Sequence, residues 1–65
     1  MQIFLNGESQ ETSCQNLLQL VQELALDGKR FAVEINEMII SKSKLELTAI
    51  SEKDRIEIIQ AVGGG

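Results

Sequence analysis

Asn16-Leu17-Leu18-Gln19-Leu20-Val21-Gln22-Glu23-Leu24-Ala25 is the one stretch of this 65-residue chain in which apolar residues recur at helical spacing. Leu17, Leu18, Leu20, Val21, Leu24 and Ala25 fall on one side and Gln19, Gln22 and Glu23 on the other, the pattern of a surface helix with a single buried stripe. Asn16 with Gln19 has the spacing of a capping box, and Thr12 with Gln15 is a rival pair four residues earlier. The stripe begins immediately after Asn16, which favours the later start. Asp27-Gly28 predicts the stop, Gly28 being suited to the left-handed position beyond the last turn. One amphipathic helix has one stripe to cover, so the remaining residues must supply one sheet face.

The flanking segments read as strands. Met1-Gln2-Ile3-Phe4-Leu5 alternates, with Met1, Ile3 and Leu5 on one face, and Asn6-Gly7 is a strong two-residue hairpin signal. The return strand, Glu8 to about Thr12, is nearly all polar and reads as an edge. Phe31 to Asn36 turns Phe31, Val33 and Ile35 inward. Asn36-Glu37 then makes a turn into the short strand Met38-Ile39-Ile40. Ser41 to Leu47 reads as irregular, anchored by Leu45 or Leu47, and Ser51-Glu52-Lys53-Asp54 as a polar turn. The last strand runs Arg55 to Val62 with Ile56 and Ile58 inward. If the first and last strands pair in parallel at the centre, the helix crosses a mixed four- to five-stranded sheet: an α+β, β-grasp (ubiquitin-like) architecture. Residues 1–62 form the expected domain and 63–65 a flexible glycine tail.

Composition narrows the function. Hydrophobic residues make up 43% of the chain, enough for a packed core and against intrinsic disorder. One cysteine, Cys14, excludes an internal disulfide, and there is no histidine. No apolar run nears the roughly 20 residues that span a bilayer, and no secretory leader pattern opens the chain. The expected compartment is the cytoplasm, which suits a free thiol. With 10 acidic against 6 basic residues the net charge is −4, which argues against nucleic acid. An acidic surface of this kind either solvates the chain or matches a basic docking partner.

The sequence closes on Ala61-Val62-Gly63-Gly64-Gly65. Glycine loses the most conformational freedom on ordering and has no side chain to bury, so three in a row do not stabilise a fold. They suit a tail that threads a narrow passage and presents a carboxylate, against the plainer reading of a frayed end. Ala32-Val33-Glu34-Ile35-Asn36, Ile39-Ile40, Asp54-Arg55-Ile56-Glu57-Ile58 and Gln60-Ala61-Val62-Gly63-Gly64-Gly65 together resemble the bacterial ThiS family, the sulfur carriers of thiamin biosynthesis. The resemblance runs the whole chain, including the Met1-Gln2-Ile3 opening, and is strongest in the C-terminal half. Two departures stand in turns. Lys53 stands where a glycine commonly precedes the aspartate of the last strand, and Ser41 and Lys42 where a proline often follows the short strand.

The resemblance implies that Gly65 carries the chemistry. Its carboxylate is adenylated with ATP by an enzyme related to ubiquitin-activating enzymes (ThiF-type). A persulfide derived from a sulfur donor such as a cysteine desulfurase then displaces AMP. The resulting thiocarboxylate delivers sulfur to thiazole synthase (ThiG-type). Gly63 and Gly64 pass the tail through the partner's channel, and three extended residues reach about 10 Å beyond Val62. The chain itself shows no phosphate-binding loop, metal-ligand cluster or base-paired nucleophile, so we expect a co-substrate with no bound cofactor or metal, monomeric by itself. Phe4, Ala32 and Ile59 alternate to the face away from the helix. Phe4 and Ile59 would be neighbours if the first and last strands pair. With Ala61 and Val62 they form the expected docking surface, rimmed by Glu34 and Glu57. Cys14 reads as a small hydrophobe near the helix entrance in preference to a persulfide carrier. Three other readings are the small subunit of molybdopterin synthase, a ubiquitin-like protein modifier, and a binding module with an inert tail.

Overall fold

In the computed structural model, which describes residues 1–61, the chain forms β1 (Gln2–Leu5), β2 (Glu8–Glu11), α1 (Leu17–Glu23), β3 (Phe31–Ile35), β4 (Met38–Ile40) and β5 (Arg55–Gln60). Val62 and Gly63 to Gly65 lie outside the described residues, and with them the expected tail. The strands stand in the order β2-β1-β5-β3-β4. β1 and β5 run parallel at the centre, and the other neighbouring pairs are antiparallel. This is the expected β-grasp sheet, with five strands.

The inner sheet face contributes Ile3, Val33, Ile35 and Ile56 to the core, and α1 contributes Leu17, Leu20 and Val21. Each such side chain, fully buried, stabilises the fold by about 1.5–3 kcal/mol before its entropy cost. At seven residues α1 is too short to persist alone, so this contact is what holds it helical. The loop after the short 3-10 turn at Lys42–Lys44 anchors through Leu45, 3% exposed, whereas Leu47 is 80% exposed. Leu26 and Ile50 also join the core, neither being marked by periodicity because both sit in irregular segments.

Local chemistry explains the boundaries. The Asn16 Oδ1 accepts the Gln19 N–H at 2.9 Å, as expected of the cap, while the Gln19 Oε1 reaches back to the Gln15 N–H at 2.7 Å. Thr12, the rival, instead accepts the Cys14 N–H at 3.0 Å. The helix end differs from expectation. Ala25, not Gly28, takes the left-handed position, with φ 59°. The Leu26 N–H donates to the Val21 carbonyl (3.1 Å) and the Ala25 N–H to that of Gln22 (3.0 Å), the two bonds of a Schellman motif. Leu24 and Ala25 are therefore exposed instead of lining the stripe. Burial of Leu26 beside Val21 drives this early stop. Gly28 serves the next turn with φ 78°, where the Lys29 N–H donates to the Leu26 carbonyl at 2.9 Å.

Both hairpins are two-residue turns with positive φ throughout: Asn6 51° and Gly7 83°, then Asn36 49° and Glu37 71°. The two departures from the family pattern keep the backbone they replace. Lys53 has φ 67°, the region a glycine occupies freely. Ser41 has φ −70°, the value a proline ring imposes.

Ala25→Gly is expected to raise unfolding stability by about 1 kcal/mol in urea titrations, since it removes left-handed strain from a solvent-exposed residue. Gly28→Ala is expected to lower it by a similar amount. The added Cβ meets no atom within 4 Å, so the penalty is conformational alone. Changes of the same sign from the two substitutions would contradict this assignment of the helix cap.

Candidate functional site

β5 is the strand that leads into the C-terminal segment, and its central position fixes where that segment leaves the body. Gln60 is paired with Phe31, and the Ala61 N–H donates to the Arg30 carbonyl at 3.0 Å. The exposed Lys29 and Arg30 stand at this exit. Lys42 joins them: its Nζ donates to the Lys29 carbonyl at 3.2 Å and lies 4.5 Å from the centroid of the Phe31 ring. Three of the six cationic side chains of an acidic protein thus gather where the chain leaves the sheet. Such a cluster favours an anionic group on the departing segment.

The outer face differs from expectation in its register. Phe4 is paired with Arg55, whereas Ile59 is paired with Ala32. Four residues along β5 separate Arg55 from Ile59, about 13 Å at strand rise. Phe4, half-buried, and Ile59, 64% exposed, are therefore two apolar spots and not one patch. Between them Glu34 and Glu57 face each other directly across β3 and β5. They occupy the middle of the face, not its rim. Ile39, paired with Glu34 on the other side, is 78% exposed and belongs to the same face. Period-two alternation along Met38-Ile39-Ile40 is the sequence signal for that placement. Ala61 is exposed, and Val62 lies outside the described residues together with Gly63, Gly64 and Gly65.

Like charges directly opposite on neighbouring strands cost stability. Glu34 and Glu57 side by side therefore lower stability, and Arg55, two residues from Glu57 on the same face, is the nearest cation along β5. Cys14 is 5% exposed within the core cluster, its Sγ 3.4 Å from a Glu23 carboxylate oxygen. Among the described residues no three His, Cys, Asp or Glu side chains converge as metal ligands. No helix of the described residues is long and apolar enough to cross a membrane.

The ThiS family model matches residues 3–65, through the terminal glycines. A thiazole synthase of Paramagnetospirillum magneticum is 35% identical over 66 residues, covering 100% of this chain and 20% of its own length. The uncharacterized protein ycf40 of Porphyra purpurea is 38% identical over 64 residues, covering 97% of this chain and 90% of its own. The chain therefore spans about a fifth of the thiazole synthase it matches. The crystal structure of the thiamine biosynthesis protein ThiS from Geobacter metallireducens has the same fold, with a TM-score of 0.82 at 22% identity over 100% of both chains.

Glu57→Lys is expected to turn the repulsive cross-strand pair into an attractive one. Stability should rise by about 0.5 kcal/mol at low ionic strength, and the gain should shrink with added salt. A loss of stability in the same urea titration would contradict the opposed placement of Glu34 and Glu57.

Proposed function

The chain belongs to the ThiS family, and on that premise we propose that it is a sulfur carrier of thiamin biosynthesis, a protein co-substrate and not a catalyst. The observation that carries this reading is that the family match continues past the central strand into Gly63, Gly64 and Gly65. A Gly65 carboxylate is ionised at neutral pH. One of its oxygens attacks the α-phosphorus of ATP within an activating enzyme, and pyrophosphate leaves. A persulfide sulfur from the donor then attacks the acyl carbon, and AMP leaves. Cleavage of the acyl disulfide by a second thiol frees the thiocarboxylate. The chain has no histidine to act as a proton carrier, so acid–base chemistry falls to the partners.

Each feature of the site has a place in this reading. The β-grasp body presents the outer face, with Phe4, Ile59 and Ala61 as apolar contacts and Glu34 and Glu57 as the acidic centre. A basic side chain of the activating enzyme that sits between the two carboxylates relieves their repulsion on docking. Lys29, Arg30 and Lys42 stand beside the exit and favour an anionic terminus. Thiazole synthase is the proposed acceptor. Support comes from relatives of that name, which carry a stretch similar to this whole chain within a longer polypeptide. ATP and a reduced thiol fit the cytoplasm. The buried Cys14 has no part in the transfer.

Intact-mass analysis after incubation with an adenylating enzyme, ATP and a persulfide source is expected to show one oxygen-to-sulfur exchange, mapped to Gly65. An unchanged mass overturns the carrier reading, and higher-mass adducts on lysines in a cell extract favour a protein modifier. Gly64→Ala is expected to leave the circular dichroism spectrum intact and slow adenylation by roughly tenfold or more, equivalent to about 1.4 kcal/mol of barrier. Unchanged activation kinetics would contradict the threading role of the tail. Cys14→Ser is expected to retain full sulfur loading.

A further inference from the structure

The two edges of the sheet are not alike. The β2 edge carries Glu8 and Glu11 on a four-residue strand, the charged guarding that discourages pairing with another chain. The β4 edge is Met38-Ile39-Ile40, without a charge. Met38 is 63% and Ile39 78% exposed. β4 has β3 on one side and no strand on the other among the described residues.

Backbone geometry makes this edge competent to pair. The two-residue turn at Asn36-Glu37 makes Ile35 and Met38 a mutually hydrogen-bonded pair, and Val33 with Ile40 is the next such pair. Ile39, between them, directs its own N–H and C=O away from β3. Ser41 is extended, with φ −70° and ψ 155°, but its carbonyl accepts the Lys44 N–H at 2.9 Å, so the free edge ends there. Glu37, at φ 71°, ends it on the other side.

We infer that β4 is a self-pairing edge through which a second copy of this chain docks, antiparallel, about a two-fold axis at Ile39. In that arrangement each Ile39 N–H donates to the Ile39 carbonyl of the other copy, and Met38 of each lies opposite Ile40 of the other. The charges select the orientation. Glu37 precedes the strand and Lys44 follows it, while Lys42, also beyond it, is held at the exit by the Lys29 carbonyl and the Phe31 ring. Antiparallel pairing sets the acidic start of one copy beside the basic end of the other, whereas parallel pairing stacks like on like. The two five-stranded sheets become one, with both outer faces on the same side and both exits free. Because the edge is only three residues long, the contact is weak and reversible. On this inference the chain is a monomer in dilute solution and pairs as its concentration rises.

Sedimentation equilibrium of the full chain over a concentration series tests this, with amide hydrogen exchange read in parallel. The weight-average mass is expected to climb from monomer toward dimer, with the Ile39 amide gaining protection along the same curve and added salt weakening both. Ile39→Lys is expected to weaken association by roughly tenfold or more, about 1.4 kcal/mol, without changing the circular dichroism spectrum. A monomer mass at every concentration overturns the inference. So does a dimer that protects the β2 amides instead, or one that Ile39→Lys leaves unchanged. Protection of Ile39 only on adding an activating enzyme or thiazole synthase assigns the edge to a heterologous strand and also overturns it. The wild-type exchange measurement decides the matter even if the variant fails to fold.

Discussion

The parallel pairing of β1 with β5 is the constraint on which the rest of the molecule depends. It joins the two ends of the described chain through only two registered pairs, Phe4 with Arg55 and Leu5 with Ile56. Polar groups extend it at both ends. The Phe4 N–H donates to the Asp54 carbonyl and the Asn6 N–H to that of Ile56, each at 2.9 Å. The Ile58 N–H donates to the Asn6 Oδ1, also at 2.9 Å, and the Gln2 N–H to the Glu52 carboxylate. Closing so long a loop costs entropy that grows only slowly with length. Burial of Ile3 and Ile56, both fully inaccessible, offsets it. Without this pairing α1 has no floor, and the C-terminal segment has no fixed point of departure.

Two side chains organise the turns around that ladder. Asn6 supplies the positive φ that the first hairpin needs and also takes up the Ile58 N–H of β5, just past the last residue registered with β1. Asp54 accepts the Ser51 N–H at 2.7 Å and the Asn36 Nδ2–H at 3.0 Å, while the Asn36 Oδ1 accepts the Arg55 N–H at 3.0 Å. One polar network therefore locks the β3–β4 hairpin to the start of the central strand. These bonds fix β5 against both of its neighbours before the exit is reached.

How much of this was legible in the sequence follows from the range of each interaction. Asn6-Gly7, Asn16 with Gln19, and the alternation through Phe31 to Ile35 are local signals, and the structure follows them. The end of α1 was not legible, because Ala25 carries no left-handed preference and is forced there by the burial of Leu26. The choice between Leu45 and Leu47 waited on the same kind of tertiary packing. On the outer face, alternation correctly assigned Phe4, Ala32 and Ile59 to one side. It says nothing about rows: the parallel β1–β5 register set Phe4 beside Arg55, and the antiparallel β3–β5 register brought Glu34 and Glu57 together. The second role of Asn6 lay out of reach, since its partner is 52 residues away. The basic exit was hidden for a similar reason: Lys42 meets Lys29 and Phe31 only once β3 and the 3-10 turn are in place.

Two opposed carboxylates stand on the outer face, and a basic cluster stands at the end of the central strand; in the proposed function the first serves docking and the second delivery. The most direct measurement is a chase with radiolabelled sulfur loaded on the chain by an activating enzyme and then presented to thiazole synthase. Label appearing in the thiazole product, with the chain returning to its carboxylate mass, is the predicted result. Label that stays on the chain, or a chain that instead becomes joined to lysines of other proteins, would contradict a sulfur carrier of thiamin biosynthesis.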